Sequence, residues 1–311
     1  ENVVIPSIIE KKDDNTVKWS VTNLSYWKNS NKVKLTLPNT ITSISWSNVN
    51  ALQSINIPDN SSFSSFNLES IVCNIDELII PTSTNSITPY SGTSSYGQRF
   101  IAAFNVVAEN ASYSSVGDVL FSKDGKTLVC YPYRKSGVAY TLPVGVTSIG
   151  NGAFYDNDNI ETVILPVGIT SIGNSAFCNC GALYRCVLPA SIISIGDSAF
   201  YSGSTNTRNK LAKIGVFSTL TSLTTVGSYA FRNCIISSDD NTFTLSGKLE
   251  TIGTYAFYNA FANNSKTTVV FPASLGVKSA TETANSEVYL NNYAFNCGVI
   301  RSLMTEPRNS S

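Results

Sequence analysis

Residues 142–177 read LPVGVTSIGNGAFYDNDNIETVILPVGITSIGNSAF. The stretch says one thing twice: SIGNGAF, from Ser148, returns as SIGNSAF from Ser171. A third copy, SIGDSAF, starts at Ser194, and looser copies follow as TVGSYAF from Thr225, TIGTYAF from Thr251 and YLNNYAF from Tyr289. Self-similarity at a short period marks an array of stacked units and has to be settled before any single residue is interpreted. The Ala-Phe pair tags each unit, with its phenylalanine at Phe154, Phe177, Phe200, Phe231, Phe257 and Phe295. The first two gaps are 23 residues each, from 154 to 177 and from 177 to 200; the longer later gaps imply loops inserted into a constant unit.

Each unit has a second half that ends on proline: TLP at Pro143, ILP at Pro166 and VLP at Pro189. Upstream the same half appears as LTLP at Pro38, INIP at Pro58 and LIIP at Pro81, the last two again 23 apart. Apolar residues precede the prolines at fixed offsets: Leu52, Ile55, Ile57; Ile75, Leu78, Ile80; Ile160, Val163, Leu165; Leu183, Cys186, Leu188. The final positions alternate, which is strand spacing, and proline stops the strand because it has no N–H for a ladder. Ile149, Ile172, Ile195 and Ile252 make one inward row; Val146, Ile169, Ile192 and Leu249 make another three residues earlier. One such unit cannot bury its apolar positions alone, so stacked copies must align these rows into a continuous core and pair short parallel strands between rungs. The glycine after each isoleucine suits a tight turn with φ > 0. The Ala-Phe pair fits a short helical or 3₁₀ turn, alanine allowing close packing and phenylalanine plugging the interior.

One segment breaks the pattern. Between Pro81 and Pro143 two or three units should fit, yet the stretch contains VGDVLFSKDGKTLVCYP. Asp124-Gly125 is a type I′ turn signal between two β-rich arms, so Val119 to Tyr131 reads as a β-hairpin that projects from the array or replaces the outer half of a rung. Residues 82–98 are rich in Ser, Thr and Gly and read as a loop; the whole insertion spans about 82–135. Residues 1–32 lack clear repeats and read as an N-terminal cap or irregular lead-in, with an opening strand at Val3 and the polar outer face that repeat arrays need. The repeat array occupies 33–311.

Composition narrows the function classes. Charged residues are 14% of the chain, with 21 basic and 21 acidic side chains, whereas phosphate recognition needs a basic footprint. Nucleic acid is therefore not expected as a partner, and no Lys/Arg cluster of the kind that holds anionic membranes is present. The chain has no histidine, which removes the commonest general base, the Ser-His-Asp triad, Cys-His dyads and most zinc sites. Glycosidases need only two carboxylates, but nothing in the sequence places an acid pair in a cleft. No apolar run approaches the roughly 18 residues of a membrane helix, so no membrane insertion is expected. The chain opens on Glu1 rather than Met and reads as a processed or trimmed product whose targeting information is missing.

Taken together, these residues resemble the BspA-type leucine-rich repeat, whose unit runs roughly LxxIxLPxxVTxIGxxAFxxC. YSSVGDVLFSKDGKTLVCYP followed by YTLP is similar to a hairpin interspersed in such arrays. The similarity runs from about Val33 to the C-terminus and is densest from Tyr113 to Phe200. It implies an α/β leucine-rich-repeat solenoid, right-handed and strand-rich. It also implies a secreted or surface-anchored, non-enzymatic protein of adhesion type, without cofactor, that recognises a protein or glycan ligand on host or neighbouring cells. The alternative is a structural stalk that presents other domains of a longer polypeptide. Ser218 and Ser246 stand where the strand-ending proline is expected. The family pattern places a cysteine three residues after the phenylalanine; Cys180 and Cys234 fill that slot, and Cys297 fills it one residue early.

Candidate sites follow from the register. CNCGALYRC holds Cys178, Cys180 and Cys186 within nine positions and could be read alone as a metal clamp or part of a disulfide framework. In register Cys180 and Cys186 are core positions, where a free thiol behaves as a small hydrophobe; all seven cysteines are expected reduced, with Cys178 at the rim. Tyr155, Asp156 and Asp158 resemble half a calcium loop, but no EF-hand spacing or glycine follows, so a solvated turn is expected and no metal site. Sequons at Asn23, Asn60, Asn110, Asn263 and Asn309 read as chance in so Asn/Ser-rich a chain. The outward strand positions are the candidate partner-binding residues, above all Glu161, Thr162, Tyr184 and Arg185, since Tyr and Arg are favoured anchors. Ile164, Val187, Gln53, Ser54, Asn56, Asp76 and Glu77 share that register.

Overall fold

The structure is a computed structural model. It describes residues 34–41, 52–57, 59, 64–71, 73–89, 100–203, 211, 214–234, 236 and 243–260 in full, and the backbone of strands at 2–4, 8–11, 14–20, 23–24, 33, 43–44, 242, 267–271 and 300–305. Phe295, Cys297, Asn60, Asn263 and Asn309 lie outside the described residues. The chain divides into two compact units, Glu1–Ser136 and Gly137–Ser311.

In the first unit five strands pair in the order Asn2–Val4, Val33–Thr36, Leu52–Asn56, Ile75–Ile80 and Phe104–Val106, every pair parallel. Successive parallel neighbours are what stacked repeats require. The inward positions Leu52, Ile55, Ile57, Ile75, Leu78 and Ile80 are all buried. The opening strand expected at Val3 is present and joins this sheet, and the antiparallel pair Ile8–Lys11 and Asp14–Ser20 follows it. The insertion is more regular than expected. Ser86–Thr88, inside the segment read as a loop, pairs parallel with Ser65–Asn67. Phe104–Val106 is a full rung partner, with Leu78 opposite Phe104 and Ile75 opposite Ile101. Its signal was in the sequence: Ile101, Phe104 and Val106 repeat the offsets of Ile75, Leu78 and Ile80, but without a proline after them.

The hairpin is a three-stranded antiparallel meander, Tyr113–Val116, Val119–Ser122 and Thr127–Cys130. The type I′ turn sits in its first connection, where Gly117 and Asp118 both have positive φ (53° and 69°). At the expected Asp124-Gly125 only Gly125 is left-handed, its N–H donates to the Ser122 carbonyl, and the strand register shifts between Leu120 and Phe121. That is a longer turn with a bulge, the second choice for hairpins. The hairpin does not project, because Val119, Leu120, Phe121, Leu128 and Cys130 are buried. Asn110 ties it down: the fully buried amide donates to the carbonyls of Pro81 (2.6 Å) and Thr84 (2.9 Å) and accepts from the N–H groups of Ser112 and Tyr113. The Asn110 sequon is thus part of the core.

In the second unit two parallel ladders rise together. Short strands Ser148–Ile149, Ser171–Ile172, Ser194–Ile195, Thr225–Val226 and Thr251–Ile252 pair in register, and Ala139–Thr141, Thr162–Ile164 and Arg185–Cys186 form the other. Both predicted inward rows are buried. Phe154, Phe177, Phe200, Phe231 and Phe257 stack as a column at centroid spacings of 4.8, 5.0, 5.1 and 5.2 Å. These match the strand spacing of about 4.8 Å, even across the longer sequence gaps. Phe217 and Phe243 meet the end of the column edge-on, a packing the repeat pattern did not reveal. Where proline is missing, the buried Ser246 donates its hydroxyl to the Leu220 carbonyl, and Ser218 lies in the 3₁₀ turn Phe217–Thr219.

The Ala-Phe segments are successive hydrogen-bonded turns, not helices, and no α-helix occurs among the described residues. The fold is a strand-rich solenoid, which the α/β label fits only loosely. In each segment the N–H of residue i+3 donates to the carbonyl of i, as Ala153 to Gly150 and Asn157 to Phe154. The left-handed residues are Gly152, Ser175, Ser198, Tyr229 and Tyr255, and again Asp156, Asn179, Asn233 and Asn259, the φ > 0 that a type II turn needs at its third position. The glycine after the isoleucine is not one of them, contrary to expectation. Its reason is proximity: a Cβ on Gly173 would lie 2.7 Å from the Asn151 backbone nitrogen and 2.8 Å from the Gly150 carbonyl carbon. The turns also bond from rung to rung, Phe154 N–H to the Ala176 carbonyl and Phe177 N–H to the Ala199 carbonyl, both 2.7 Å. Such close stacking leaves no room for a side chain there.

Candidate functional site

The proposed surface is the outer side of the ladder Ala139–Thr141, Thr162–Ile164 and Arg185–Cys186. Pairing puts Thr162 opposite Arg185 and Val163 opposite Cys186. Because strand side chains alternate between faces, the buried Val163 and Cys186 send their neighbours outward. The N–H groups of Tyr184 and Arg185 both donate to the Glu161 carbonyl, at 2.8 and 3.0 Å. The structure therefore brings all four candidates together on adjacent rungs. Glu161, Tyr184 and Arg185 are exposed and Thr162 is half-buried. Their side chains make no hydrogen bond or ion pair among the described residues. Ile164 lies on the same ladder and Val138 and Val187 flank its strands; they are 49%, 52% and 42% exposed. Apolar residues at such positions in short strands gain nothing for the core.

The other outward candidates divide. Gln53 and Asn56 are exposed. Ser54 is buried, because the register shifts between Val33 and Lys34 against the strand Leu52–Asn56 and turns this residue inward. Asp76 is engaged, accepting from Arg134 at 3.1 Å, and Glu77 accepts from the Asn105 amide at 2.9 Å.

The six described cysteines are free and buried. Cys178, expected at the rim, is only 5% exposed, and burial followed by the charge of Asp156 pushes its thiol up to about 12. Cys180 donates to the Phe154 carbonyl at 3.0 Å and Cys234 to the Phe200 carbonyl, so the shared slot caps a turn one rung away. Burial raises both thiols well above their usual range. A thiol held protonated is neither a nucleophile nor a metal ligand. In the calcium-like loop, the Asp158 carboxylate accepts from the Gly181 N–H and Asn157 accepts from the N–H groups of Asn159 and Ile160. Asp158 and Asn157 thus serve turn geometry. Among the described residues no three His, Cys, Asp or Glu side chains gather as a metal centre would.

One cluster escaped the sequence reading. Arg232 lies with its guanidinium carbon 5.2–5.8 Å from the ring centroids of Tyr201, Tyr229, Tyr255 and Tyr258. The repeat register contained the signal, since these residues fill two columns of the turn ladder, but a tyrosine in a turn reads as incidental until neighbouring rungs are superposed.

A solenoid of short parallel strands linked by stacked turns is the architecture of a leucine-rich repeat protein. The chain belongs to the BspA type leucine rich repeat region family: six copies match, over residues 21–104, 130–260 and 211–307. No curated protein is similar enough to count as a match. Among solved structures, the pneumococcal vaccine antigen PcpA is 16% identical, with TM-score 0.45 over 99% of this chain and 89% of its own. A leucine-rich repeat protein from Eubacterium ventriosum is 18% identical, with TM-score 0.44 over 92% of this chain and 86% of its own. A leucine rich cell surface protein from Faecalibacterium prausnitzii is 14% identical, with TM-score 0.41 over 99% and 88%.

Proposed function

We propose that this chain is a non-enzymatic binding protein, secreted or held at a cell surface, that recognises a protein or glycan on a host or neighbouring cell through the outer face of its short strand ladder. The observation that carries the reading is the set Glu161, Thr162, Tyr184 and Arg185, contiguous on two rungs and unengaged, beside the exposed Ile164 and Val187. An aromatic and an arginine beside apolar contact area are the usual anchors of an interface. The lack of histidine supports a role other than catalysis, and the family resemblance supports the surface location. The test is capture of the full chain by a panel of immobilised matrix proteins and cell-surface glycans, repeated with Tyr184→Ala and Arg185→Ala. Both side chains are exposed, so the variants should fold as the parent does and lose at least about tenfold in affinity, the consequence of truncating an anchor of roughly 2 kcal/mol. Equal capture of parent and double variant refutes the surface assignment.

A further inference from the structure

The turn ladder of the second unit carries a second surface, built where the backbone opposes it. Two of its columns are half-exposed from Ser198 and Tyr201 onward. One is the left-handed position, filled by Gly152, Ser175 and Ser198 and then by Tyr229 and Tyr255 at φ 59° and 57°. Left-handed backbone disfavours a side chain, and a bulky one most, so glycine and serine are what turn geometry selects. Two successive tyrosines there add nothing to the turn, and they remain half-exposed, so they do not serve the core. Residues held at such backbone positions concentrate at binding sites.

The second column runs from the buried Tyr155 and Cys178 to the half-exposed Tyr201, Arg232 and Tyr258. Arg232 lies within 6 Å of all four tyrosine rings, and Tyr229 and Tyr255 stack at 5.3 Å. Cation–π contact holds the guanidinium in place but satisfies none of its five N–H donors. The Nε is buried and finds no acceptor among the described residues, and no carboxylate there pairs with this side chain. The cluster is thus an oriented positive charge, fixed by four phenol rings, with no anion beside it among the described residues.

We propose that Tyr201, Tyr229, Arg232, Tyr255 and Tyr258 form a recognition platform for an acidic saccharide, one carrying a single carboxylate per disaccharide. The planar carboxylate matches the guanidinium fork, while phenol hydroxyls and ring edges suit a sugar's hydroxyls and apolar C–H faces. Charge density decides against an acidic peptide, which an array of cations would select; this platform has one. It spans three rungs, about 10 Å at the strand spacing, comparable with one disaccharide. The proposal is independent of the strand-ladder surface, and either can fail alone.

The test titrates the full chain with uronate oligosaccharides of the hyaluronan type, heparin fragments, neutral dextran oligosaccharides and a poly-glutamate peptide. The expected result is saturable binding of the uronate sugar, weakened by salt, and none of dextran. Arg232→Gln should weaken it about tenfold or more, as loss of one charge-assisted hydrogen-bonded contact does. Tyr255→Ser should weaken it too while leaving the fold intact, since serine is the residue at this position in two other rungs. That variant separates binding from folding. Absence of uronate binding, equal binding by the variants, binding of the sulfated sugar alone, or equal binding of poly-glutamate each overturns the proposal.

Discussion

Replacing Gly196 by alanine isolates the force that sets the rung spacing. A Cβ there would lie 2.7 Å from the backbone nitrogen of Asn174 and 2.8 Å from the carbonyl carbon of Gly173, with the Asn174 side-chain oxygen closer still. Two of these three neighbours are backbone and cannot swing aside. Relief means moving one rung off the next, which stretches the bonds from Gly196 N–H to the Ile172 carbonyl (2.8 Å) and from Asp197 N–H to Asn174 Oδ1 (2.9 Å). Overpacking costs about 1–3 kcal/mol, and each weakened hydrogen bond about 1 kcal/mol. Against this stands a gain of about 0.4–1 kcal/mol from stiffening the unfolded chain. The net expectation is a loss of roughly 2–4 kcal/mol, read as a lower urea midpoint and as faster amide exchange on the two adjoining rungs. Asparagine at the same position separates the two explanations of this glycine. Asparagine tolerates left-handed backbone better than alanine does, so a glycine kept for positive φ would accept it more readily. Close approach predicts that Gly196→Asn is at least as damaging. A stable alanine variant, or rescue by asparagine, refutes the argument from proximity.

Three further outcomes follow from the core. Asn110→Ala leaves two carbonyls and two N–H groups without their partner; at about 1–3 kcal/mol per buried orphan, not all additive, a loss of about 2–5 kcal/mol is expected in chemical unfolding. Asn110→Asp should cost more because it also sets a carboxylate against the Pro81 and Thr84 carbonyls. Phe177→Ala removes a ring stacked on both sides and should cost about 3–5 kcal/mol, with the loss of exchange protection centred on its own and the neighbouring rungs. The Cys186 thiol is held at about 12 by burial, above its ordinary 9.0, so the folded state keeps a proton that the unfolded chain releases first. Its contribution is complete below about pH 9 and is lost as pH rises toward 12; stability should fall less steeply over that window in Cys186→Val, the residue that the preceding rung uses.

The repeat period gave the sequence reading its reach. Rows such as Ile149, Ile172 and Ile195 are legible because burial imposes a type of residue at a fixed spacing, and any stack of equal units repeats the demand. Cys180 and Cys186 could be assigned to the core by register alone. The hairpin's existence was legible from its β-rich arms, whereas its turn types were not. A positive φ suits Gly117-Asp118 as well as Asp124-Gly125, and only strand register chooses between them. Ser54 looked outward by alternation and is buried because a register shift intervened. The rung at Phe104–Val106 was hidden by the loss of its closing proline, which sterics require only where the strand must stop.

The proposed surfaces divide in the same way. Stacking at a constant period placed Glu161 beside Tyr184 and Thr162 beside Arg185; alternation turns Thr162 and Arg185 away from the buried Val163 and Cys186, whereas Glu161 and Tyr184 precede the strands and are exposed there. Sequence did not assemble the tyrosine cage around Arg232, whose members lie between 201 and 258 in the chain and meet only when three rungs of unequal length are superposed. The sequence by itself determined that units stack, which residues face inward, and that the chain has no histidine to work with. The tertiary structure decided why Gly173 and Gly196 are needed, where Cys178 lies, and which polar side chains meet. These depend on distances between rungs, set jointly by backbone hydrogen bonds and side-chain volume, and no single unit contains them.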